Sequence, residues 1–151
     1  MVSRGSVLAA VAGMASLTLL AGGPPPAATD WVNALRRHAH IVTIMTGLRD
    51  DAISGADEIA SCTPFRLSVR ETAKYLDSAR EVSERRYEHD LDTHPCFASG
   101  KFRLDNGEIG TFRIDMARRA IFQIDGRPAR YFHCAHCLPK VFGATIERRA
   151  P

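Results

Sequence analysis

The sequence predicts an α+β fold: a four-stranded antiparallel meander with a capped helix packed on it, an additional N-terminal helix, and disulfide cross-links. Three observations lead to this prediction. Apolar residues recur every three to four positions over residues 30–46 and 69–83, and every second position after residue 98, which are the periods of a helix and a strand. Four cysteines follow a segment typical of a secretory leader. Cysteines in a small exported protein are expected to form disulfides.

The first 28 residues have the pattern of a signal peptide. Arg4 supplies a positive charge, and the apolar run from 7 to 21 is shorter than the roughly 20 residues that a membrane-spanning helix needs. Small residues and prolines follow, so cleavage is expected after Ala28, with the Gly23 region as the alternative site and an uncleaved anchor as the alternative fate. The protein is therefore predicted to be periplasmic or secreted, with no transmembrane span in its mature form.

The rest of the chain divides into three parts. Residues 29–61 are predicted to be an N-terminal helical segment, residues 62–138 the α+β domain, and residues 139–151 a C-terminal tail. In the first part, apolar residues at helical spacing predict one helix from Asp30 to Thr46, with Asp30 as its N-cap and Gly47 as its stop.

The second helix begins with a capping box. Ser68 and Glu71 have the spacing at which the serine side chain accepts from the backbone of Glu71, and the glutamate reaches back to the cap. Apolar residues keep helical spacing from there to about Ser83. Pro64 disfavours a helix just before it, so Cys62 is predicted to lie at a bend beside the helix start.

From Ala98 onward the sequence predicts four strands joined by tight turns. A three-residue turn that ends at a left-handed Gly107 is preferred over a two-residue turn, because it brings the large apolar residues of two strands to one face. Those residues are Phe102, Leu104, Phe112 and Ile114. The third strand is predicted near 120–125 and the fourth near 129–134. The capped helix is expected to pack across this meander.

The four cysteines are Cys62, Cys96, Cys134 and Cys137, and they allow three pairings. A local bridge between Cys134 and Cys137 closes a very small loop and adds little stabilisation from chain entropy. A crossed arrangement joins each of these two to Cys62 or Cys96 and closes long loops, worth roughly 3–4 kcal/mol apiece. The crossed arrangement is therefore predicted, and which of its two forms occurs stays open.

Two other uses of these cysteines compete with cross-linking. Cys134 and Cys137 form a C-x-x-C with an internal histidine, a pattern that suits thiol–disulfide exchange. That alternative predicts that the two are bonded to each other. The same pair has the spacing of a zinc knuckle, which Cys62 and Cys96 would complete. Neither alternative is preferred, and no cofactor is expected.

Composition and motifs limit the function. The net charge of +3 argues against a nucleic-acid partner, and no motif of a hydrolase or of a phosphate-binding loop is present. The chain has 17 arginines, often in pairs, and arginine is favoured where proteins bind each other. Arg103, Arg113 and Arg130 lie on predicted strands and are candidates for a basic binding stripe.

The order of these elements resembles a group of small exported bacterial proteins. The pattern consists of Cys96, Gly100, Gly107, Phe112, Ile114, Cys134 and Cys137, and it covers about half of the chain. The resemblance implies secretion and a cross-linked α+β fold. The cross-linked frame, the charged surface and the absence of catalytic motifs lead us to expect a non-enzymatic module that binds another protein, such as an inhibitor or immunity protein directed at a toxin or envelope hydrolase.

Overall fold

The computed structural model describes residues 28–53, 56–59 and 61–142, with side chains from residue 32 onward, and it is an α+β fold. Three helices and six strands succeed one another as α1 (Ala28–His38), β1 (Ala39–Arg49), α2 (Val69–Ser78), β2 (Arg80–Val82), β3 (Cys96–Leu104), β4 (Ile109–Asp115), β5 (Arg119–Ile124), β6 (Arg130–His133) and α3 (Pro139–Phe142). A 3-10 turn (Ala56–Glu58) and a π-helical turn (Arg86–Asp90) lie between them. The predicted leader, apart from Ala28, and the tail beyond residue 142 lie outside the described residues.

All six strands form one antiparallel sheet in the order β1-β3-β4-β5-β6-β2. The predicted meander corresponds to its four central strands. The prediction of only four strands is wrong, because β1 pairs along β3 and the short β2 pairs with β6. The register of β1 against β3 shifts twice, between Ile41 and Thr43 and between Met45 and Leu48.

The predicted N-terminal helix is wrong beyond His38, where the chain turns into β1. Leu35 in α1 is fully buried, so the helical stripe is used only in this first part. Gly47, predicted to stop the helix, instead lies within β1 with a φ of +68°. A Cβ at Gly47 would come within 3.2 Å of the Cys62 carbonyl oxygen, so this glycine allows β1 to run close to the 62–65 bend.

The turn between β3 and β4 has the predicted three residues, with Gly107 at a φ of +88°. Alternate residues of the central strands therefore point to one buried face. Phe122 lies at the centre of that face, and its ring centroid is 5.8, 5.6 and 5.5 Å from those of three other phenylalanines. These are Phe102, Phe112 and Phe132.

Helix α2 covers this buried face, and the predicted capping box at its start is confirmed. Tyr75 is fully buried, and its hydroxyl donates to the Arg118 carbonyl oxygen over 2.9 Å. Burying an aromatic ring and satisfying its hydroxyl fixes the helix on the sheet. No helix in the described ranges is long and apolar enough to cross a membrane.

The opposite face of the sheet is only partly covered. The segment 83–95 crosses one corner of it, where the Tyr87 ring packs 5.0 Å from that of Tyr131. Beneath it, Arg119 and Asp115 form a buried ion pair at 2.8 Å, and Arg119 also donates to the Tyr87 carbonyl oxygen. The remainder of this face is half-buried, as at Phe97 and Ile121, or exposed.

The disulfides join Cys62 to Cys96 and Cys134 to Cys137. The crossed arrangement predicted from loop entropy is therefore wrong. Its physical reason is the position of β3, which begins at Cys96 directly beside the Cys62 bend. Cys134 and Cys137 lie together on a tight turn after β6. The protein therefore has one disulfide that closes a long loop and one that closes a short loop.

All three tyrosines of the chain are expected to titrate above the ordinary pKa of 10.0. Burial raises the pKa of Tyr75 and Tyr87. The Tyr131 hydroxyl donates a hydrogen bond to Glu84, and this bond raises the pKa of Tyr131 to about 12. Each folded pKa is above the unfolded one, so the stability these groups contribute is complete below pH 10 and falls as the pH rises through the folded values. Absorbance at 295 nm should show no phenolate until the protein unfolds. A tyrosine that ionises near pH 10 in the folded protein would contradict this.

Candidate functional site

The three arginines singled out in the sequence do not lie together. Arg103 and Arg113 share the exposed face of the sheet, because both occupy odd positions of adjacent strands. Arg130 pairs in register with the buried Phe122 and so belongs to the other face, where its guanidinium is 3.2 Å from Glu81. The basic stripe therefore reduces to two of the three residues on one surface.

Arg113 is already engaged within the molecule. Its guanidinium lies 2.8 Å from the Asp50 carboxylate and 3.8 Å from the centre of the Phe97 ring. The hydrogen bond from Arg113 is the main reason why the pKa of Asp50 is below its ordinary value. A guanidinium held by a carboxylate and a ring has little to offer a partner, and its role is to tie the 50–53 turn to the sheet.

Arg103 is exposed, and its neighbours define a surface that we call the open face. The open face consists of exposed residues from the uncovered part of the sheet: Thr43, Met45, Lys101, Arg103, Ile109, Thr111 and Gln123. Met45 is 59% exposed and Ile109 50%. Within the described part of the chain, neither Lys101 nor Arg103 makes an ion pair. The open face thus presents two uncompensated cations and two apolar side chains.

One carboxylate stands at the rim of the open face, next to the strand end that carries Arg103. Asp105 accepts hydrogen bonds from His38 over 2.6 Å and from His40 over 2.7 Å. The bond from His40, and then that from His38, lowers the pKa of Asp105. The charge of Asp105 is therefore directed toward the histidines and leaves Arg103 unpaired.

A second candidate region is a cleft of about 600 Å³ at the other edge of the sheet, beside the Cys134–Cys137 disulfide. It is lined by α2, β2, the π-helical turn and the turn after β6, through Ser78, Arg80, Glu81, Val82, Arg86, His133, Cys134, Ala135, His136 and Cys137. We call it the cysteine cleft. A cleft of this size holds a small molecule or a peptide side chain.

The cysteine cleft is basic. Arg80, Arg86 and His136 are exposed, and the one carboxylate in its lining, that of Glu81, is shared with Arg130. Burial, followed by the charge of Arg86, lowers the pKa of His133. A depressed histidine pKa with a cationic neighbour among its causes indicates a positive potential at this end of the sheet.

The zinc alternative has no support in this geometry. All four cysteines are in disulfides, so no thiolate is available to a metal. Over residues 28–53, 56–59 and 61–142, no group of three or more histidine, cysteine, aspartate or glutamate side chains could hold a metal ion.

Sequence reasoning missed most of both surfaces. Met45 falls in the predicted N-terminal helix, and Arg80 falls in the predicted second helix, which runs to about Ser83. In the structure α2 ends at Ser78, and Arg80 begins β2 and lines the cysteine cleft. β2 is defined only by its pairing with β6, whereas β1 has a local signal in its β-branched run 41–44 that the helical spacing hides. Lys101 and Arg103 alternate with apolar Phe102 in the sequence, so both are expected on the same polar face of β3. This alternation is the signal that could have added Lys101 to the predicted binding residues.

The fold and its surfaces define a disulfide-bonded α+β protein with one open sheet face and one basic cleft. Comparison with protein families, characterised proteins and solved structures finds no match to this chain.

Proposed function

We propose that this protein is an exported binding module whose open face does no chemistry and docks on an acidic surface of another protein. The observation that carries the proposal is the pair of cations, Lys101 and Arg103, exposed on a regular sheet and free of ion pairs in the described residues. In the concrete form we favour, the partner is a toxin or an envelope hydrolase that the bound module neutralises.

Charge complementarity argues for an acidic partner. The open face contains no carboxylate, and Asp105 at its rim is bound by two histidines. Uncompensated cations on a surface speed the encounter with an anionic patch and disfavour basic partners. Arginine also gives bidentate bonds to carboxylates, which lysine does not.

The apolar residues provide the desolvated contact that charges alone do not. Met45 and Ile109 stand on β1 and β4, either side of β3, and each is at least half exposed. Methionine adapts its shape to a partner and is over-used at binding surfaces. Methionine and arginine are among the residues enriched at interfaces, and the open face presents one of each beside a further apolar side chain and a lysine.

The frame suits a binding role. The buried phenylalanine cluster and the Cys62–Cys96 disulfide hold the sheet behind the open face. A preorganised surface loses little conformational entropy on binding, so more of the contact energy appears as affinity.

The experiment is charge reversal on the open face. The full chain is exported by a bacterial host, immobilised, and exposed to envelope extract, and the captured proteins are identified and assayed for activity with and without the module. We expect an acidic protein whose retention falls as salt is raised, and whose activity the module inhibits. The variant K101E/R103E should weaken this complex by roughly a hundredfold, about 3 kcal/mol for two charge reversals at an interface.

The matched control is R80E/R86E, which makes the same charge change in the cysteine cleft. It should leave capture and inhibition unchanged. Equal capture by wild type and K101E/R103E would overturn the proposal, as would equal losses in both variants. Capture of a basic protein would overturn the stated partner chemistry.

A further inference from the structure

The two disulfides occupy different surroundings, and the difference has a chemical meaning. Cys62 and Cys96 are 4% and 2% exposed, and they lie in the core against Phe65 and Met116. Cys134 and Cys137 are 5% and 9% exposed and belong to the same core cluster, so the difference lies in the pocket beside each bond. The cysteine cleft has Arg80 and Arg86 in its lining, whereas the pocket beside Cys62 and Cys96 has one histidine, His94, and no arginine or lysine among its described residues. Cys137, with 9% of its surface accessible, is the most exposed of the four.

The surroundings of Cys134 and Cys137 favour negative charge. Arg80 and Arg86 line the cleft and supply permanent positive charge. Positive neighbours lower the pKa of a thiol and stabilise its thiolate. A dithiol stabilised in its reduced state makes the corresponding disulfide a stronger oxidant.

We propose that Cys134 and Cys137 form a redox-active pair that oxidises dithiols of exported polypeptides, with Cys62–Cys96 as a purely structural bond. This activity is independent of docking through the open face. The substrate class is a polypeptide with two cysteines still reduced, and the cysteine cleft receives the segment that carries them.

The exchange is balanced by the substrate itself. A substrate thiolate attacks one sulfur of the pair, which breaks the Cys134–Cys137 bond and forms a mixed disulfide, while the other sulfur leaves as a thiolate. The second substrate thiolate attacks the mixed disulfide and releases the second cysteine. The substrate loses two electrons and two thiol protons and gains one disulfide. Cys134 and Cys137 gain the electrons and, once protonated, end as two thiols.

The basic residues act at the moment a cysteine leaves. The departing thiolate appears in the cleft beside the guanidinium groups of Arg80 and Arg86. Since a better-stabilised leaving thiolate departs faster, the same charges promote both steps in which a sulfur of the pair is released. The pocket beside Cys62 and Cys96 has His94 in its lining but no arginine or lysine among the described residues.

The first test compares the two disulfides within one molecule. Oxidised protein is equilibrated in glutathione buffers of graded ratio, alkylated, and each cysteine is quantified by mass spectrometry. We compare the ratio of squared reduced glutathione to oxidised glutathione at which each disulfide is half reduced. For Cys134–Cys137 we expect this ratio to be at least roughly a hundredfold lower than for Cys62–Cys96. Reduction of both at the same ratio, or of Cys62–Cys96 first, would overturn the proposal.

The second test removes the charges. In R80Q/R86Q the equilibrium constant of Cys134–Cys137 with glutathione should shift roughly threefold or more toward the disulfide. The control K101Q/R103Q removes two charges from the open face and should leave that constant unchanged. Equal shifts in both variants would reveal an effect of net charge alone and would contradict the role of the cleft.

The third test is activity. Wild-type protein mixed with a reduced, unfolded polypeptide that has two cysteines should consume two substrate thiols per molecule, and C134S/C137S should consume none. In this assay K101E/R103E should behave as wild type. Loss of capture in K101E/R103E with retained oxidation separates this activity from the proposed docking function. No thiol consumption by the wild type would refute the redox proposal alone.

Discussion

Replacing Cys62 and Cys96 together by alanine is expected to lower the free energy of unfolding by about 4 kcal/mol. The bond joins residues 34 positions apart, so it restricts a long loop of the unfolded chain. It also holds the 62–65 bend against the first residue of β3. Urea denaturation of the oxidised wild type and of C62A/C96A measures the difference.

The internal control is C134A/C137A, because that bond closes a loop of only three positions. Loop entropy gives it about 2 kcal/mol, half the value of the longer bond. Each variant retains the other disulfide, so the comparison holds overall cross-linking constant. A larger loss in C134A/C137A than in C62A/C96A would show that the long bond is not the main staple.

The second large effect is expected from Arg119→Met, which should cost about 3–5 kcal/mol at pH 7. Arg119 and Asp115 are 6% and 2% exposed, and the guanidinium is the only cation in contact with that carboxylate in the described residues. Removing it leaves a buried carboxylate that has no partner at ion-pair distance in the described residues and that is stabilised only by the charge of Arg113 from farther away. The ring of Tyr87, 4.4 Å from the guanidinium, also loses its partner.

The pH dependence of R119M identifies the cause. Burial already raises the pKa of Asp115 against the opposing effect of Arg119, and without Arg119 it should rise further. A group whose pKa is raised by folding contributes its full stability when the pH is below its pKa in the unfolded chain, and this contribution is lost as the pH rises through its pKa in the folded protein. The deficit of R119M should therefore shrink between pH 7 and pH 4. A deficit that is constant with pH would indicate lost packing instead.

Arg113→Met provides the comparison for this prediction. Arg113 also pairs with one aspartate at 2.8 Å, but both partners are about 30% exposed. A partly solvated pair contributes about 1 kcal/mol or less. Similar losses in R113M and R119M would contradict the importance of burial.

The parts of the fold that could be predicted from the sequence are those specified by neighbouring residues. The capping box needs only Ser68 and Glu71, and the three-residue turn needs Gly107 and the apolar residues on either side of it. The helical stripe through Leu35 and His38 continued by coincidence into Val42 and Met45. There, pairing with β3 outweighs the helical pattern, and β-branched Ile41, Val42, Thr43 and Ile44 favour a strand.

The disulfides and the cysteine cleft depend on long-range geometry. Loop entropy favours long bonds, but a bond forms only where two Cα atoms approach to about 5–6 Å, as Cys62 and Cys96 do at 5.1 Å. The cleft arises because β2, only three residues long, pairs with β6 and brings Arg80 beside His133. Neither proximity is encoded in a local pattern.

The two register shifts in β1 have a consequence for the behaviour of the protein at high concentration. β1 lies at the margin of the sheet and is 11 residues long, with Val42 and Met45 more than half exposed. A straight, apolar edge strand of that length can pair with strands of other molecules, and such pairing is how fibrils begin. Bulges twist such a margin and interrupt its row of hydrogen-bonding groups. The irregularity of β1 thus acts as a safeguard against self-aggregation while its side chains stay available to a partner.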